Sequence, residues 1–549
     1  MATESPGRDE TWYGTDEAGS QIRGAAFKWT CLGATLFGIS MVFVLLLYVA
    51  VDAIRPFSAE PGWYLTISLA VIAPTGALLA YFGRRNSGAG WVGSTAMALP
   101  AFCLLVASGV AILLIEVFQP HEWFAAAVIL LAVAGAVFGY RRVRSPTAQV
   151  AGEGTVVAVV ALWVGFVGVP GVVPSLAAVV EAGTHWLNWP TMMVYSFGGP
   201  LALLTGIVVA RGRESRRDGL IAGGLTFAAG VLAVFAAPTV GIDDYLLVVL
   251  ATSVLAPTGL YVERVVRKGE NVAGLALPVA FYGGAVVAAV VVEAFGFAGP
   301  AAWLDWQFLT DPHSRFPQRA GIYPALVGSI MMMLVIVVSA FPVGVGAAVY
   351  LEEYAPDGGL LGRIVSFIEV NIGNLAGVPS VVYGLLGLAL FIRYASMNTG
   401  SVVVGGLTVG LLILPIVIIS AQEAIRAVPD SMRQASYGMG ATKWQTVRNV
   451  VLPEAFPGIL TGTILAFGRA IGETAPLLMI GAAAVVFNPP SAFGEKFSAM
   501  PRQIFAWSSE PAAEFRHGVL AAGVVTLLVV LLSMNAAAIL IRNRYQRRS

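Results

Sequence analysis

Long apolar stretches separated by short polar connections run through most of this chain. In the first half there are eight, at residues 29–51, 63–82, 91–118, 123–140, 155–180, 192–210, 220–237 and 245–262. Six more follow, at 272–297, 322–350, 375–392, 402–420, 456–487 and 518–541. Because about 20 apolar residues cross a bilayer as a helix, the pattern predicts an all-α polytopic membrane protein with about 14 transmembrane helices.

Composition supports membrane embedding and offers no sign of other ligands. Of 549 residues, 57% are hydrophobic and 11% are charged, and the mean hydropathy is +0.80. A water-soluble domain is excluded by these values. Cys31 and Cys103 lie in apolar stretches, where we expect neither a disulfide nor a metal site. His313 and His517 fall in predicted outer loops without companion ligands, so we expect no metal there.

Basic clusters follow every second predicted span. They lie at residues 84–85, 141–144, 211–217, 264–268, 426–448 and 542–548. Since Lys and Arg accumulate in short cytoplasmic loops, both termini are predicted to be cytoplasmic. We divide the chain into a disordered polar tail at 1–24, a membrane region of about eight helices at 25–270, and a second membrane region at 271–549. The sequence assigns no role to the region at 25–270.

A predicted cytoplasmic loop at 423–455 is unusually long and carries helical signals of its own. Ser431 with Gln434, and Thr442 with Gln445, each have the spacing of a capping box. In that motif a hydroxyl and a Gln side chain satisfy the free amides of a first helical turn. The loop is therefore predicted to contain two short helices.

The residues around these two helices predict how they are arranged. Gly438 and Gly440 allow a sharp turn between the helices, and Pro453 is expected to end the second one. Three apolar residues fall at helical spacing and form a small face that a partner protein can cover. They are Met432, Ala435 and Met439.

The loop resembles the EAA loop of ABC importer permeases. That family reads Glu-Ala-Ala, three residues, Gly, nine residues, then Ile-x-Leu-Pro. Here the spacing is kept, but Gln434 and Ser436 replace the Glu and the second Ala, so no carboxylate at 434 is expected to act in coupling. The resemblance implies that the loop docks into a cleft on a separate ATPase subunit. The implied coupling residues are Met432, Gln434, Ala435, Ser436, Gly440, Ala441, Thr442, Leu452 and Pro453.

Four longer blocks extend the resemblance over about residues 273–541. They read GIYPALVGS at 321–329, AVYLEEY at 348–354, LAGVPSVVYG at 375–384 and GRAIGETAPLL at 468–478. Blocks of this kind, in this order, resemble the PstA-type permease of phosphate importers. The sister permease, PstC, usually has Met after the Glu-Thr of the last block, where this chain has Ala475. The resemblance implies that residues 271–549 form a six-helix importer permease core.

Two ionisable residues inside a predicted span, Arg469 and Glu473, are candidates for the substrate pathway. Such groups cost several kcal/mol in a membrane unless they are paired or face water. At i and i+4 they share a helix face and can neutralise each other. A guanidinium fork meets two phosphate oxygens at once. Our hypothesis is that Arg469 lines the anion path with Thr474, and that Glu473 holds Arg469 when the path is empty. A structural ion pair that joins helices is the alternative.

The resemblance also implies an assembly in the plasma membrane. Its expected partners are a second permease of the PstC type, two ATPase subunits of the PstB type and a phosphate-binding protein of the PstS type. The chain contains no Gly-Lys-Ser/Thr phosphate loop, so ATP and Mg are expected to bind to the ATPase. We expect this chain to have neither a cofactor nor enzymatic activity. Alternatives are an importer of sulfate or molybdate, a membrane scaffold or phosphate-status sensor, and an ion-coupled carrier, which would need several buried carboxylates.

Weaker signals flank the core spans. Glu369 and Asn371 precede the third core span, which is predicted at 375–392. For these two residues, a role as a helix cap or within a lateral helix is favoured over a site at an interface. Pro342, Gly344 and Gly346 are expected to break the stretch at 322–350. Close helix packing explains the two glycines equally well.

Overall fold

The computed structural model describes residues 17–112, 120–143, 175–184, 187–240, 243–356 and 358–546. Within these residues the chain is helical and contains no β-strand beyond one isolated bridge between Ser401 and Lys496. The first helix, α1, spans Glu17–Ile54 and so begins inside the segment predicted to be a disordered tail. Residues 1–16 of that tail, and most of the predicted span at 155–180, lie outside the described residues.

The first half continues as a series of helices that turn back on one another. Two of its spans contain a π-helical turn, at Ser68–Ile72 and at Val194–Gly198. Its helices after α1 are α2 Pro61–Ile67, α3 Ala73–Arg85, α4 Ser87–Ile112, α5 Pro120–Val143, α6 Leu176–Thr184, α7 Trp189–Met193, α8 Gly199–Arg213, α9 Arg216–Val240 and α10 Asp244–Lys268.

The second half contains long spans with several short helices between them. They are α11 Ala276–Phe295, α12 Trp306–Thr310, α13 Tyr323–Val349, α14 Gly359–Ala376, α15 Ser380–Gly387, α16 Val402–Arg426, α17 Asp430–Gly438, α18 Lys443–Thr446, α19 Leu452–Ile471, α20 Ala475–Met479, α21 Met500–Trp507 and α22 Leu520–Gln546. π-helical turns extend α13 over Tyr350–Tyr354 and join α18 to α19 over Val447–Val451.

The described residues contain 11 helices long and apolar enough to cross a membrane, or up to 12 if the bent pair α14 and α15 counts as one span. In α5 only Phe124–Val133 forms a shorter apolar segment. The all-α polytopic fold is confirmed, whereas the number 14 stays a prediction, since part of the chain lies outside the described residues.

Small residues bring the two central helices, α13 and α16, into close contact. A Cβ on Gly344 would lie 2.7 Å from Val417 Cγ1, and one on Gly406 would lie 2.5 Å from Val335 Cβ. Dispersion contacts of this kind drive helix association in a bilayer, where lipid is as apolar as the side chains. The predicted break in this stretch is wrong: α13 runs unbroken through Pro342. Neighbouring helices can compensate for the N–H that proline lacks, and Gly344 serves helix packing.

One predicted span, at 456–487, is instead broken. The helix α19 ends at Ile471, and the chain bends through Gly472, Glu473 and Thr474 before α20 begins at Ala475. Proline at 476 has no N–H to continue the hydrogen-bond ladder of α19. A polar pair predicted to sit within one helix therefore lies at a helix break.

The first helix of each half packs against helices of the other half. The helix α1 packs against α22, and the Trp303 amide donates to the Ala53 carbonyl at 2.8 Å. The helix α11, expected to open the second region, packs on α2, α3 and α4 of the first. The contact is tight, because a Cβ on Gly284 would lie 2.1 Å from the Ala70 carbonyl oxygen.

Candidate functional site

The predicted coupling loop begins with α17, which ends in a defined C-terminal motif. The amide of Gly440 donates to the Tyr437 carbonyl at 2.9 Å, and that of Ala441 donates to the Ser436 carbonyl at 3.2 Å. This pair of bonds is a Schellman motif, whose central residue must be left-handed. Gly440 has a φ of +82° and open space where a Cβ would lie. Glycine is therefore required here by the left-handed backbone conformation, and not by a neighbouring atom that a Cβ would meet.

The second short helix, α18, starts at the predicted capping box. The Gln445 amide donates to Thr442 Oγ1 at 3.3 Å, and the Thr442 amide donates to Gln445 Oε1 at 2.8 Å. The hydroxyls of Ser436 and Thr446 lie 2.8 Å apart and link α17 to α18. The serine that departs from the family pattern thus holds the two helices together.

Two local expectations for this loop are wrong. Ser431 caps nothing, because α17 begins at Asp430 after Pro429, whose extended backbone places the N-cap two residues earlier than predicted. Pro453 ends no helix. In the π turn before it, the Leu452 amide bonds to a carbonyl five residues back, which shifts the hydrogen-bond register where proline cannot donate. The helix consequently continues from Lys443 to Ile471 as one 29-residue span.

The loop presents apolar groups to solvent. Met432 and Ala435 are exposed on α17, and Met439, which follows its last turn, is 88% exposed. Gln434 is exposed beside them, and Trp444 of α18 is also exposed. The described residues leave this face uncovered, as a docking surface requires.

A buried ion pair attaches α17 to the rest of the protein. Arg433 Nη2 lies 3.1 Å from Glu353 Oε1, with side chains 16% and 7% exposed. The same guanidinium donates to the carbonyls of Ile425 and Val428, at the end of α16. Lys443 Nζ lies 5.4 Å from the centre of the Tyr354 ring. The coupling loop is thus fixed to the ends of both central helices, α13 and α16.

A second polar network joins the same helix ends to α14. Arg426 Nη2 lies 2.7 Å from Glu352 Oε1 and 3.7 Å from Glu369 Oε1. Gln422 Nε2 donates to both carboxylates, at 2.8 and 3.3 Å. Glu369 lies within α14, which meets α15 at 109°, so it does not cap this helix, and a lateral position of α14 stays a prediction.

These two networks were missed from the sequence. The available signal was the pair Glu352 and Glu353, which follows an apolar span and stands in one of the family-like blocks. Their partners Arg426 and Arg433 are 74 and 80 residues away. No local spacing rule connects such positions.

The second predicted site, Arg469 with Glu473, forms an ion pair at the far end of the 29-residue helix from the loop. Arg469 Nε lies 3.1 Å from Glu473 Oε1, and the side chains are 44% and 14% exposed. Glu473 and Thr474 lie in the break between α19 and α20. Because Arg469 keeps nearly half of its surface, its remaining N–H groups are available to another ligand.

A second broken helix meets this one. The turn at 377–379 separates α14 from α15, and the Tyr383 hydroxyl donates across it to the Leu375 carbonyl at 2.8 Å. The helix α15 packs closely on α20, since a Cβ on Gly384 would lie 2.8 Å from Pro476 Cα. Irregular backbone at membrane depth is tolerated where it is covered by protein or lines a water-filled cavity.

One further polar side chain beside this pair was missed. Asn535 of α22 has its amide near Gly468, 3.8 Å from a Cβ built there, and its Oδ1 is buried with no hydrogen-bond partner in the described part of the chain. The sequence signal was an amide inside an apolar stretch.

No three His, Cys, Asp or Glu side chains come together as metal ligands among the described residues.

Comparison with known proteins places this architecture among transporters. A family model described as "Binding-protein-dependent transport system inner membrane component" matches residues 320–547. The chain is 36% identical over 222 residues to the phosphate transport system permease protein PstA 1 of Mycobacterium tuberculosis, covering 40% of this chain and 70% of that protein. It is 34% identical over 197 residues to the probable ABC transporter permease protein YqgI of Bacillus subtilis, covering 35% and 65%.

Similarity to solved structures is weaker. The MetNI methionine ABC transporter in an inward-facing conformation is 20% identical with a TM-score of 0.31, over 41% of this chain and 94% of that chain. A likeness this low carries no argument.

A helical membrane core with a two-helix loop at its basic end is the architecture of an ABC transporter permease. The chain belongs to the family of binding-protein-dependent transport system inner membrane components. The expectation of a PstA-type permease is confirmed, and the chain is a multi-pass protein of the cell membrane. The family match begins after α11, so the first region lies outside it.

Proposed function

We propose that this chain is one of two permease subunits of an ATP-driven importer of inorganic phosphate and forms half of its translocation pathway. The observation that carries the proposal is the two-helix loop, which exposes an apolar face while a buried ion pair fixes it to the central helices. The substrate is supported by relatives named as phosphate transport permeases.

The proposed assembly contains a second permease of the PstC type, two ATPase subunits of the PstB type and a binding protein of the PstS type. ATP and Mg bind to the ATPase subunits, and the binding protein delivers phosphate on the outside. The exposed face around Met432 and Met439 docks on an ATPase subunit. This orientation puts both termini in the cytoplasm, in agreement with the basic clusters at the same end of the spans.

Movement reaches the membrane along one continuous element. The helix from Lys443 to Ile471 starts in the coupling loop and ends beside Arg469 and Glu473. Displacement of the loop by the ATPase therefore tilts the helix end that carries the ion pair. Two broken helices meet at this end, and they allow a local rearrangement without unfolding a whole span.

Arg469 supplies the anion contact in this proposal. A guanidinium binds two phosphate oxygens with parallel N–H bonds. Glu473 holds Arg469 when no phosphate is bound and competes with the anion, which keeps binding weak enough for release. The Thr474 hydroxyl stands next to the pair and can donate a further hydrogen bond.

The test is ATP-dependent uptake of labelled phosphate, sulfate and molybdate by the complete complex in vesicles. Phosphate uptake is expected to exceed that of the other two anions. Arg469→Gln is expected to lower phosphate uptake about 10- to 100-fold, because a hydrogen bond to a charged group contributes about 1.5–3 kcal/mol. Arg469→Lys keeps the charge but not the fork and should recover only part of the activity.

A matched control is Arg363→Gln, which removes an exposed arginine on α14. It should assemble and transport normally. Normal uptake by an assembled Arg469→Gln complex would remove Arg469 from the pathway and leave it as a structural partner of Glu473. Preference for sulfate or molybdate would overturn the substrate assignment.

A further inference from the structure

Two adjoining cavities open at the basic end of the first membrane region, between α8, α9 and α10. Their volumes are about 370 and 440 Å³, and they share Arg213, Leu260 and Arg267 as lining residues. The site lies at helix ends, because Arg213 and Arg267 stand in the last turns of α8 and α10. Ends of spanning helices lie at the depth of the lipid headgroups.

Four charged side chains form a closed network at the mouth of the first cavity. Arg213 pairs with Glu263 and with Asp218, the latter at 3.5 Å. Arg267 Nη1 lies 2.9 Å from Asp218 Oδ2, and Arg267 Nε lies 3.1 Å from Glu263 Oε1. The two acids hold the two guanidinium groups in place, and the network as a whole is neutral.

The second cavity adds two uncompensated cations to this network. Arg264 and Lys268 line it, and both side chains are exposed. Neither forms an ion pair within the described part of the chain. With four cationic and two anionic side chains around the joined cavities, the site carries a net charge of +2. An anion is therefore the ligand that this site favours.

Below the charged mouth the first cavity is apolar. It continues along Ile221 and Leu225 of α9 and Leu255 of α10, whose side chains are exposed. The wall formed by α8 and α9 is tightly packed, since a Cβ on Gly219 would lie 2.6 Å from the Gly206 carbonyl oxygen. An anionic head above an apolar groove matches the two ends of a phospholipid.

We propose that this site binds an anionic phospholipid. Its phosphate contacts Arg264 and Lys268, and the pre-positioned Arg213 and Arg267 can donate further hydrogen bonds. An acyl chain lies along Ile221, Leu225 and Leu255. Basic pockets between spans are a known way for membrane proteins to select headgroups. Free inorganic phosphate shares the headgroup chemistry, but it makes no use of the apolar groove.

The experiment measures lipid retained by the purified full-length chain. The protein in detergent is equilibrated with an equimolar mixture of phosphatidylglycerol and phosphatidylcholine, and retained lipid is quantified by mass spectrometry. Arg264→Gln with Lys268→Gln is expected to lower the ratio of anionic to zwitterionic lipid about tenfold or more, since each surface cation near an anionic headgroup contributes about 1 kcal/mol.

The matched control is Arg211→Gln with Arg217→Gln. It removes two exposed cations at the same end of the bundle that line neither cavity. The control is expected to retain lipid like the wild type. An equal loss in both double variants, or no loss in either, would overturn the proposal.

Two further measurements distinguish a lipid headgroup from free inorganic phosphate as the ligand. Leu225→Gln, in the apolar groove, is expected to lower phosphatidylglycerol retention while leaving all cations in place. Excess inorganic phosphate is expected to leave retention unchanged at constant ionic strength. If phosphate instead displaces the lipid and Leu225→Gln has no effect, the site recognises the free anion and the lipid assignment is wrong.

Discussion

The side chain of His313 lies in an aromatic cluster, on the side of the second region opposite the coupling loop. The Trp507 indole N–H donates to His313 Nδ1 at 3.1 Å, which requires a neutral imidazole. The rings of Phe487 and Phe515 lie 6.2 and 5.7 Å from it between centroids. Burial lowers the pKa of His313 below its ordinary value, and the charge of Glu510 offsets this only in part.

The lowered pKa predicts a pH-dependent stability with a definite sign. The unfolded chain binds a proton at His313 at higher pH than the folded chain does. The stability that neutral His313 contributes is therefore fully present above the ordinary pKa of about 6.5. It is lost as the pH drops through the lowered pKa of the folded state. We expect the thermal midpoint of the full-length chain to fall over this range, and His313→Gln to weaken that dependence.

His517→Gln is the control, since His517 is an exposed histidine on the same side. It should keep the pH dependence of the wild type. A His313→Gln protein whose thermal midpoint changes with pH as steeply as the wild type would show that His313 is not the responsible group.

The short helix α17 is held by tertiary contacts of Arg433. Its amphipathic sequence is only nine residues long, too short to be stable as a helix in water by itself. Arg433 joins it to Glu353 and to the end of α16. In the proposed mechanism, this attachment carries movement of the helix to α13 and α16.

We predict that Arg433→Met uncouples the loop. Removing one partner of a buried ion pair costs about 3–5 kcal/mol, because the other charge stays buried without compensation. Hydrogen exchange of Asp430–Gly438 should accelerate, and phosphate uptake per ATP hydrolysed should fall. The double variant Arg433→Met with Glu353→Met removes the unpaired charge and should be less damaging than the single one.

Arg448→Met serves as the control for this prediction, because Arg448 is an exposed arginine in the same loop region. It should leave both exchange and coupling unchanged. If the double variant were as unstable as the sum of its single variants, Arg433 and Glu353 would not act as a pair.

The first region is integrated with the permease. The loop between α1 and α2 is hydrogen-bonded to the loop after α11: the Ala298 amide donates to Glu60 at 3.1 Å, and the Ala301 amide donates to Ser58 at 2.9 Å. On α11, Tyr282 donates to the Met97 carbonyl of α4 at 2.7 Å. The first region thus supports α11 along its length.

Two adjacent glycines of α11 test this interface. Gly284→Ala places a methyl group 2.1 Å from the Ala70 carbonyl oxygen, whereas Gly283→Ala meets no atom within 4 Å. We expect Gly284→Ala to cost about 1–3 kcal/mol through overpacking. Gly283→Ala should be neutral or slightly stabilising, since alanine favours helix by about 1 kcal/mol. Thermal unfolding of the purified chain measures both, and equal midpoints would show that α11 does not depend on this contact.

Much of the fold and part of the site could be predicted from local signals. The spans of the second half, the capping box at Thr442, the turn at Gly440 and the spacing of Arg469 and Glu473 all depend on residues a few positions apart. The break after Ile471 and the continuity through Pro453 were mispredicted. The break precedes a proline at 476, and the continuity depends on a π turn that accommodates Pro453. Hydropathy encodes neither.

Local signals identify a helical membrane protein with a two-helix loop and an Arg–Glu pair near the end of a span, because periodicity, capping and i, i+4 spacing act over one or two turns. The packing of α1 on the last helix, the contact of α11 with the first region and the pairing of Arg433 with Glu353 are visible in the folded chain alone. In a membrane, helices are apolar on every face, so the pattern of hydrophobic positions cannot indicate which faces pair. Close approach of glycines and burial of distant charges decide it.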